Sequence, residues 1–228
     1  MTLSALQQIR LDMDRAADAA GRPRAQLLAV SKTQPAEAVA ALAAQGQRAF
    51  GENYVQEAAA KIAALADAGL EWHLIGHLQS NKAELAATLF DWVQTVDRLK
   101  LVAALAKGRA GAQAPLNVLI QVNIDDEASK HGCTPEAIDA LADAIAAHPA
   151  LALRGLMAIP APWPEAERRR DAFARMRALF ERLRAAHPQA DTLSMGMSGD
   201  FADAIAAGAT MVRVGTALFG ARAPLAPG

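Results

Sequence analysis

The sequence predicts an α/β protein folded as a single (β/α)8 TIM barrel over residues 1–228. Strand-like and helix-like segments alternate from end to end, about eight such units fit the length, and no linker-like break in composition separates them. Because repeated β–α units imply parallel strands joined by right-handed crossovers, this number of units favours a closed barrel. An open doubly wound sheet is the alternative arrangement of the same units.

The predicted elements follow in a regular order, beginning with an amphipathic helix at about residues 2–20. Apolar runs bounded by turn residues predict strands, at 26–31, 48–53, 71–76, 91–96, 116–123, 151–159, 192–196 and 210–215. Alanine-rich amphipathic segments between them predict helices, at 35–45, 54–69, 81–89, 98–111, 134–149, 165–188 and 200–208. Thr134 followed by Pro135 is typical of a helix start.

Composition narrows the class of protein. Hydrophobic residues make up 53% of the chain, which supports a well-buried core. The formal net charge is −1, so no broad basic field is available to bind nucleic acid. The single cysteine, Cys133, excludes a disulfide within the chain and favours the cytoplasm. The N-terminus lacks the apolar block of a signal peptide, and no apolar run approaches the ~20 residues that span a bilayer.

Lys32 is the first candidate functional residue, because it ends the apolar strand of the segment LLAVSKTQP. In a barrel, chemistry sits at the C-terminal ends of the strands, so Lys32 is expected at the barrel mouth. A buried lysine either pairs with a structural carboxylate or is held as a neutral amine. A neutral amine is the form that condenses with an aldehyde to give a Schiff base.

Glycine-containing turns after the last two predicted strands indicate a phosphate site. Ser198 stands at the start of a predicted helix, and Gly215 and Thr216 follow the final strand directly. These two loops are a frequent phosphate site in this architecture. A lysine beside a phosphate cradle matches pyridoxal 5′-phosphate (PLP), an aldehyde with a phosphate group. Arg213 faces the same way as Gly215, and its acceptor could be a pyridine nitrogen, a phosphate or a structural carboxylate.

Longer motifs then give a resemblance that covers nearly the whole chain. The chain resembles the pyridoxal phosphate homeostasis proteins, the YggS/PROSC-type group. The motifs that carry the resemblance are FGENYVQE (50–57), WHLIGHLQSNK (72–82), LIQVNIDDEASKHG (119–132), LRGLMAIPAP (153–162), LSMGMSGDF (193–201) and VRVGTALFGAR (212–222).

The resemblance implies a fold like the N-terminal barrel of alanine racemase, a fold-type III PLP protein, with PLP bound to Lys32 as a Schiff base. It implies a role in intracellular PLP (vitamin B6) homeostasis and, as possible partners, the apo-PLP enzymes that receive the cofactor. The cofactor-binding residues that it implies, together with those named above, are Lys32, Asn53, His73, Ser194, Met195, Ser198, Arg213, Gly215 and Thr216.

A carrier or regulator of PLP is preferred to an enzyme, with an amino-acid racemase or another weak PLP enzyme as the alternative. Racemases of related fold take a second base, a tyrosine, from another domain across a dimer interface. The only tyrosine here is Tyr54, for which packing is the simpler role. We expect a monomer without catalytic residues.

Two other lysines and one histidine pair complete the candidates. Lys130 could contact the aldehyde transiently, or it could be an ordinary loop lysine; Lys82 is similar. His73 and His77 are four residues apart, but four residues of a strand span roughly 13 Å and no further ligand completes a set. We therefore expect no metal site.

Overall fold

Eight parallel strands form a closed barrel in the computed structural model of the chain, which describes residues 3–127 and 130–220. The strands pair in sequence order, and the last one pairs with the first through the register Gln26↔Met211 to Ala29↔Val214. The predicted fold class is confirmed. The strands are β1 (Gln26–Val30), β2 (Ala49–Glu52), β3 (Glu71–Leu74), β4 (Trp92–Val96), β5 (Leu116–Val122), β6 (Leu151–Ala158), β7 (Thr192–Met197) and β8 (Met211–Val214).

Helices lie on the outside of the barrel, most of them between successive strands. They are α1 (Ala5–Ala20), α2 (Ala36–Ala44), α3 (Val55–Ala64), α4 (Ala83–Leu89), α5 (Leu99–Arg109), α6 (Ile138–Ala146), α7 (Ala166–Ala186), α8 (Phe201–Ala206) and α9 (Thr216–Phe219). Short 3₁₀ turns lie at 66–68, 80–82 and 135–137. In the parts of the chain that the structure describes, no helix has the length and apolar character needed to cross a membrane.

The elements differ from the predicted ones mainly at their ends. The predicted helices over 54–69 and 134–149 each divide into an α-helix and a 3₁₀ turn, and α9 was not predicted. Residue 2 of the predicted first helix, residues 128–129 of the fifth-strand motif and residues 221–222 of the last motif lie outside the described residues.

Helix α1 shows how local sequence fixes an element. Ser4 caps its first turn, accepting a hydrogen bond from the Gln7 backbone N–H while the Gln7 side chain accepts one from Ser4. Gly21 ends the helix in the left-handed conformation, with φ of 60°. The residues that α1 buries recur every three or four positions along one face, and they are Leu6, Ile9, Met13 and Ala17.

The interior of the barrel is partly polar. Two small apolar groups occupy it apart from the main core, one around Leu28 and Met211 and the other around Trp92 and Met157. Fully buried polar side chains lie among them, and they include His73, Gln94, Ser194 and Arg213. Because a buried polar group is costly unless it is hydrogen-bonded, these residues have to form a connected network.

Candidate functional site

A cavity of about 200 Å³ opens at the C-terminal ends of β1, β2, β7 and β8. Its apolar walls include Val30, Ile75 and Ile159. The structure brings together at this cavity six of the residues proposed from sequence, namely Lys32, Asn53, Ser198, Arg213, Gly215 and Thr216. The position at the carboxyl ends of the strands is where barrel proteins place their chemistry.

Lys32 lies two residues after the end of β1 and is half-buried in the cavity wall. Among the residues that the structure describes, no ion pair or hydrogen bond involves its amine. The Ser31 backbone N–H donates to the Gly51 carbonyl at 2.9 Å, and Ser31 Oγ donates to Glu52 Oε1 at 2.5 Å. The backbone next to Lys32 is therefore fixed while its amine stays available to a ligand.

A second lysine, Lys61, contacts the backbone beside Lys32 and two carboxylates. Its amine contacts Glu52 Oε1 at 2.8 Å, Glu57 Oε1 at 2.7 Å and the Ser31 carbonyl at 2.8 Å. Glu57 Oε1 also accepts a 2.6 Å hydrogen bond from the Thr33 backbone N–H, where φ is +64°. We call Lys61, Glu52 and Glu57 the ion-pair cluster; it anchors the backbone on both sides of Lys32.

Charge in the ion-pair cluster is compensated inside the protein. Lys61 is only 6% exposed and Glu52 is fully buried. Burial raises the pKa of Glu52, and the hydrogen bond from Lys61 opposes that rise. Since its donors are engaged by carboxylates and a carbonyl, Lys61 is not a free amine for an aldehyde.

The turn between β7 and α8 and the turn after β8 form the opposite wall of the cavity. Asp200 Oδ1 accepts a hydrogen bond from the Met197 backbone N–H at 2.6 Å, which shapes the turn that carries Ser198. A Cβ at Gly196, where φ is +91°, would meet Ala204 Cβ at 2.5 Å, so this strand end requires glycine. The hydroxyls of Ser198 and Thr216 line the cavity. Small residues and hydroxyls are suited to a close approach by an anion.

Arg213 lies on β8 and is 3% exposed. Its Nη1 donates to Ser194 Oγ and its Nη2 to the Ala158 carbonyl, both at 2.7 Å. No carboxylate in 3–127 or 130–220 forms an ion pair with it, so the structural-carboxylate alternative is not observed. Burial lowers the pKa of Arg213 to about 10, an effect that Asp200 opposes, so the guanidinium is still a cation at pH 7.

A continuous chain of hydrogen bonds leads from Arg213 through the barrel. Ser194 Oγ donates to Gln94 Oε1 at 2.7 Å, and Gln94 Nε2 donates to His73 Nδ1 at 2.9 Å. With Nδ1 accepting, His73 Nε2 carries the proton and donates to Glu71 Oε1 at 2.8 Å. Burial lowers the pKa of His73, which keeps the ring neutral near pH 7. We call these residues the interior hydrogen-bond chain.

Three of the residues proposed from sequence do not line the cavity. His73 lies deeper in the barrel, Ser194 accepts a hydrogen bond from Arg213, and Met195 packs in the main hydrophobic core. Their direct contact with a cofactor stays a prediction. The structure gives His73 and Ser194 a defined position, since both belong to the interior hydrogen-bond chain.

The remaining candidates do not line the cavity. Lys130 forms an ion pair with Glu127 at 2.7 Å and approaches the carbonyl of Ile159, a cavity residue, at 3.4 Å. Tyr54 and Lys82 line a separate cleft. Burial raises the pKa of the Cys133 thiol to about 12, so this cysteine is inert as a nucleophile.

Sequence reasoning missed the ion-pair cluster and Gln94. A signal for Lys61 was present, because it falls on the buried face of α3 with Val55 and Ala58. A lysine on a buried helix face needs a carboxylate partner, and Glu57 stands four residues before it. Gln94 gave no comparable signal, since its partners come from distant strands.

The structure is a closed parallel barrel with a lysine, an arginine and two hydroxyl side chains at a cavity in its mouth. The chain belongs to the family described as alanine racemase, N-terminal domain, whose model matches residues 4–223. Within that family it belongs with the pyridoxal phosphate homeostasis proteins, as the following identities show, and the resemblance drawn from the motifs is confirmed.

The relatives match along nearly their whole length. The pyridoxal phosphate homeostasis protein of Escherichia coli K12 is 52% identical over 222 residues, which cover 95% of each chain. The protein of the same name from Pseudomonas aeruginosa is 56% identical over 209 residues, covering 91% of this chain and 90% of the relative. The structure of PipY from Synechococcus elongatus with PLP bound aligns with a TM-score of 0.79 and 39% identity, covering 91% and 99% of the two chains.

Proposed function

We propose that this chain binds PLP at the barrel mouth and acts in intracellular PLP homeostasis as a carrier or regulator of the cofactor. One observation carries the proposal: the Lys32 amine, which has no partner among the described residues, and the buried cation of Arg213 face the same cavity. An amine and a cation without a carboxylate partner, next to hydroxyls, suit a ligand that is both an aldehyde and an anion.

The residues present fit PLP. When bound, this cofactor supplies a reactive aldehyde and an electron-withdrawing ring. Lys32 is the residue that we expect to bond covalently to the aldehyde, and Ser198, Gly215 and Thr216 are those that we expect to hold the phosphate. Arg213 donates hydrogen bonds only, so it suits an unprotonated ring nitrogen or a phosphate oxygen.

The names of similar proteins, and one solved structure, also support this proposal. Proteins that are 52% and 56% identical carry the name pyridoxal phosphate homeostasis protein, and PipY has been solved with PLP bound. None of these names describes a catalytic activity. We infer that this chain likewise acts without catalysing a reaction of its own.

The position of Tyr54 supports a carrier over a racemase. A racemase needs an acid–base group on the face of the substrate opposite the lysine. Tyr54 is 59% exposed and lines a cleft with His77 and Lys82 rather than the Lys32 cavity. We expect PLP-loaded protein incubated with alanine in deuterated water to retain the α-proton. Exchange at a rate well above that of free PLP would overturn the carrier proposal.

A binding experiment tests the assignment of Lys32. Titration with PLP should produce an absorbance band at longer wavelength than that of free PLP in the wild-type protein and in Lys82→Ala, whose lysine lies outside the cavity. Lys32→Ala should lose this absorbance, although non-covalent binding can persist through Ser198 and Thr216. Equal absorbance in Lys32→Ala and wild type would show that the amine comes from another residue.

We further infer that the chain acts in the cytoplasm, as a monomer, and that it passes PLP to apo-enzymes. For the location, the buried free thiol of Cys133 is compatible with a reducing compartment. The exposed large apolar side chains of the described residues are scattered over different elements, which favours a monomer; they are Leu3, Leu11, Tyr54, Leu85, Leu99 and Met197. Light scattering on the purified protein tests the monomer, and transfer to an apo-enzyme across a dialysis membrane separates release from direct handover.

A further inference from the structure

His77, Asp97 and His131 meet at the rim of the barrel, and none of them lines the Lys32 cavity. They follow three successive strands, β3, β4 and β5, whose carboxyl ends lie at the same edge. One ligand atom from each residue lies within 4.8 Å of the other two, and the two imidazole rings stack with centroids 3.6 Å apart.

We propose that His77, Asp97 and His131 form a binding site for one divalent transition-metal ion, with Zn²⁺ as the best match. Two imidazoles and a carboxylate are a common set of three protein ligands for zinc, with water in the fourth position. Imidazole nitrogen favours zinc, copper or nickel over calcium and magnesium, which prefer oxygen ligands. The inference is independent of the proposed function, because none of the three residues lines the cofactor cavity.

Neighbouring side chains hold the Asp97 carboxylate and the backbone at or beside the two histidines. Arg98 Nη1 contacts Asp97 Oδ1 at 2.6 Å, and its Nη2 donates to the Leu78 carbonyl at 2.8 Å, which ties the carboxylate to the segment that carries His77. On the other side, Gln121 Nε2 donates to the His131 carbonyl at 3.2 Å. Such outer contacts orient metal ligands and restrict their motion.

Both imidazoles and one carboxylate oxygen are available to a metal. In residues 3–127 and 130–220, no hydrogen bond involves the ring nitrogens of His77 or His131, and none involves Asp97 Oδ2. His77 and His131 are exposed, which gives an ion a path of entry. The neighbouring positive charge of Arg98 reduces the attraction for a cation, so we expect moderate affinity rather than that of a closed structural zinc site.

The sequence-based expectation of no metal site considered His73 and His77. The structure separates these two residues, since His73 is bound within the interior hydrogen-bond chain. The partner of His77 is instead His131, 54 positions along the chain, and only the barrel topology brings the two together.

Metal binding would link His131, which follows β5, to His77 and Asp97, which follow β3 and β4. His131 is the residue after Lys130, whose amine approaches the carbonyl of the cavity residue Ile159. An ion held by His77, Asp97 and His131 would therefore fix His131 directly beside Lys130.

The test is Zn²⁺ binding measured by competition with a chromogenic chelator, on wild type and the variants His77→Ala, His131→Ala and His148→Ala. His148 is a half-buried histidine after α6, outside the cluster, and serves as the matched control. We expect one Zn²⁺ per chain in wild type and His148→Ala, and at least about tenfold weaker binding in each cluster variant. If a histidine variant fails to fold, Asp97→Asn tests the same site, and we expect it also to weaken Zn²⁺ binding.

A second measurement identifies the ligands. Zinc X-ray absorption should show the outer-shell scattering of two imidazoles. A free Zn²⁺ concentration of roughly 100 times Kd should raise Tm by about 5–10 °C in wild type and His148→Ala, and a smaller rise is expected in the cluster variants. Unchanged affinity in His77→Ala and His131→Ala, a spectrum without imidazole, or no binding to the wild-type chain would overturn the proposal.

Discussion

Lys61 and Arg213 are both buried cations near the barrel mouth, but their partners differ. Lys61 contacts two carboxylates and a carbonyl, so its charge is compensated within the ion-pair cluster. Arg213 donates to a hydroxyl and a carbonyl, which are neutral acceptors, and it faces the Lys32 cavity. The comparison separates a cation that holds the fold together from one whose charge is left for a ligand.

The same difference has an energetic consequence. Without Lys61, the fully buried Glu52 carboxylate would lose its compensating charge. Without Arg213, only the Ser194 hydroxyl and the Ala158 carbonyl would lose a partner. Stability should therefore depend more on Lys61, and ligand affinity more on Arg213.

The largest expected effect is that of Lys61→Met on stability. This change keeps most of the side-chain volume but leaves Glu52 buried without its cation, which typically costs about 3–5 kcal/mol. Urea denaturation of the variant and the wild type measures the loss.

Two matched variants sharpen this prediction. Glu57→Gln should lower the free energy of unfolding less than Lys61→Met does. Glu57 is partly exposed, and in this variant Lys61 still forms its ion pair with Glu52. Arg213→Met should also cost less than Lys61→Met. If Arg213→Met were the more destabilising of the two cation replacements, the comparison between the two regions would be wrong.

The next effect concerns cofactor affinity. Arg213→Met removes hydrogen bonds from a charged donor, worth about 1.5–3 kcal/mol, which corresponds to a loss of PLP affinity of about 10- to 150-fold. Equilibrium dialysis with PLP measures it, with stability checked in parallel. An unchanged Kd in a folded variant would mean that Arg213 does not touch the ligand.

A smaller effect is the pH dependence that His73 contributes. Burial lowers the pKa of folded-state His73, so stability is fully present above 6.5, the pKa of an unperturbed histidine, and is lost as the pH falls below it. The slope is at most about 1.4 kcal/mol per pH unit, because one proton binds only to the unfolded chain.

Urea denaturation between pH 7 and pH 5.5 measures this slope in wild type and in His73→Gln. Glutamine can still bond to Gln94 but has no imidazole to protonate, so its curve should be flatter by one proton. Identical slopes in the two proteins would show that His73 is not the group that titrates.

The smallest expected effect on stability comes from Thr33, which follows Lys32 and contacts the ion-pair cluster. Thr33 has φ of +64°, which is strained for a β-branched residue, and its side chain is exposed. Thr33→Asn keeps the backbone N–H that donates to Glu57 and should stabilise the fold by about 1 kcal/mol. Gln34→Asn serves as the control, and the absence of any gain in Thr33→Asn alone would argue against strain at this position.

Much of the fold could be predicted because its signals are local. Apolar runs ended by Gly, Pro or polar residues placed each strand within about two residues of its observed bounds, as at β1, predicted over 26–31 and found at Gln26–Val30. Helix α9 escaped prediction because four residues are too few to show a helical period.

The site was only partly predictable, for a physical reason. Lys32, Ser198, Gly215 and Thr216 lie within two residues of a strand end, and a parallel barrel brings strand ends together whatever the register. The interior hydrogen-bond chain depends on contacts across the barrel, such as that between Gln94 and Ser194, which are 100 residues apart. A local sequence pattern does not reveal contacts between such distant residues, so the bond between Gln94 and His73 was not foreseen, and contact of His73 with a cofactor stays a prediction.

Mass spectrometry of the PLP-loaded protein after borohydride reduction tests the central claim most directly. Reduction makes the link between PLP and its lysine permanent, and a tryptic digest then locates it. The account predicts the added mass on the peptide that contains Lys32, with those of Lys61, Lys82 and Lys130 unmodified. Label on any of these other lysines while Lys32 stays unmodified would contradict it.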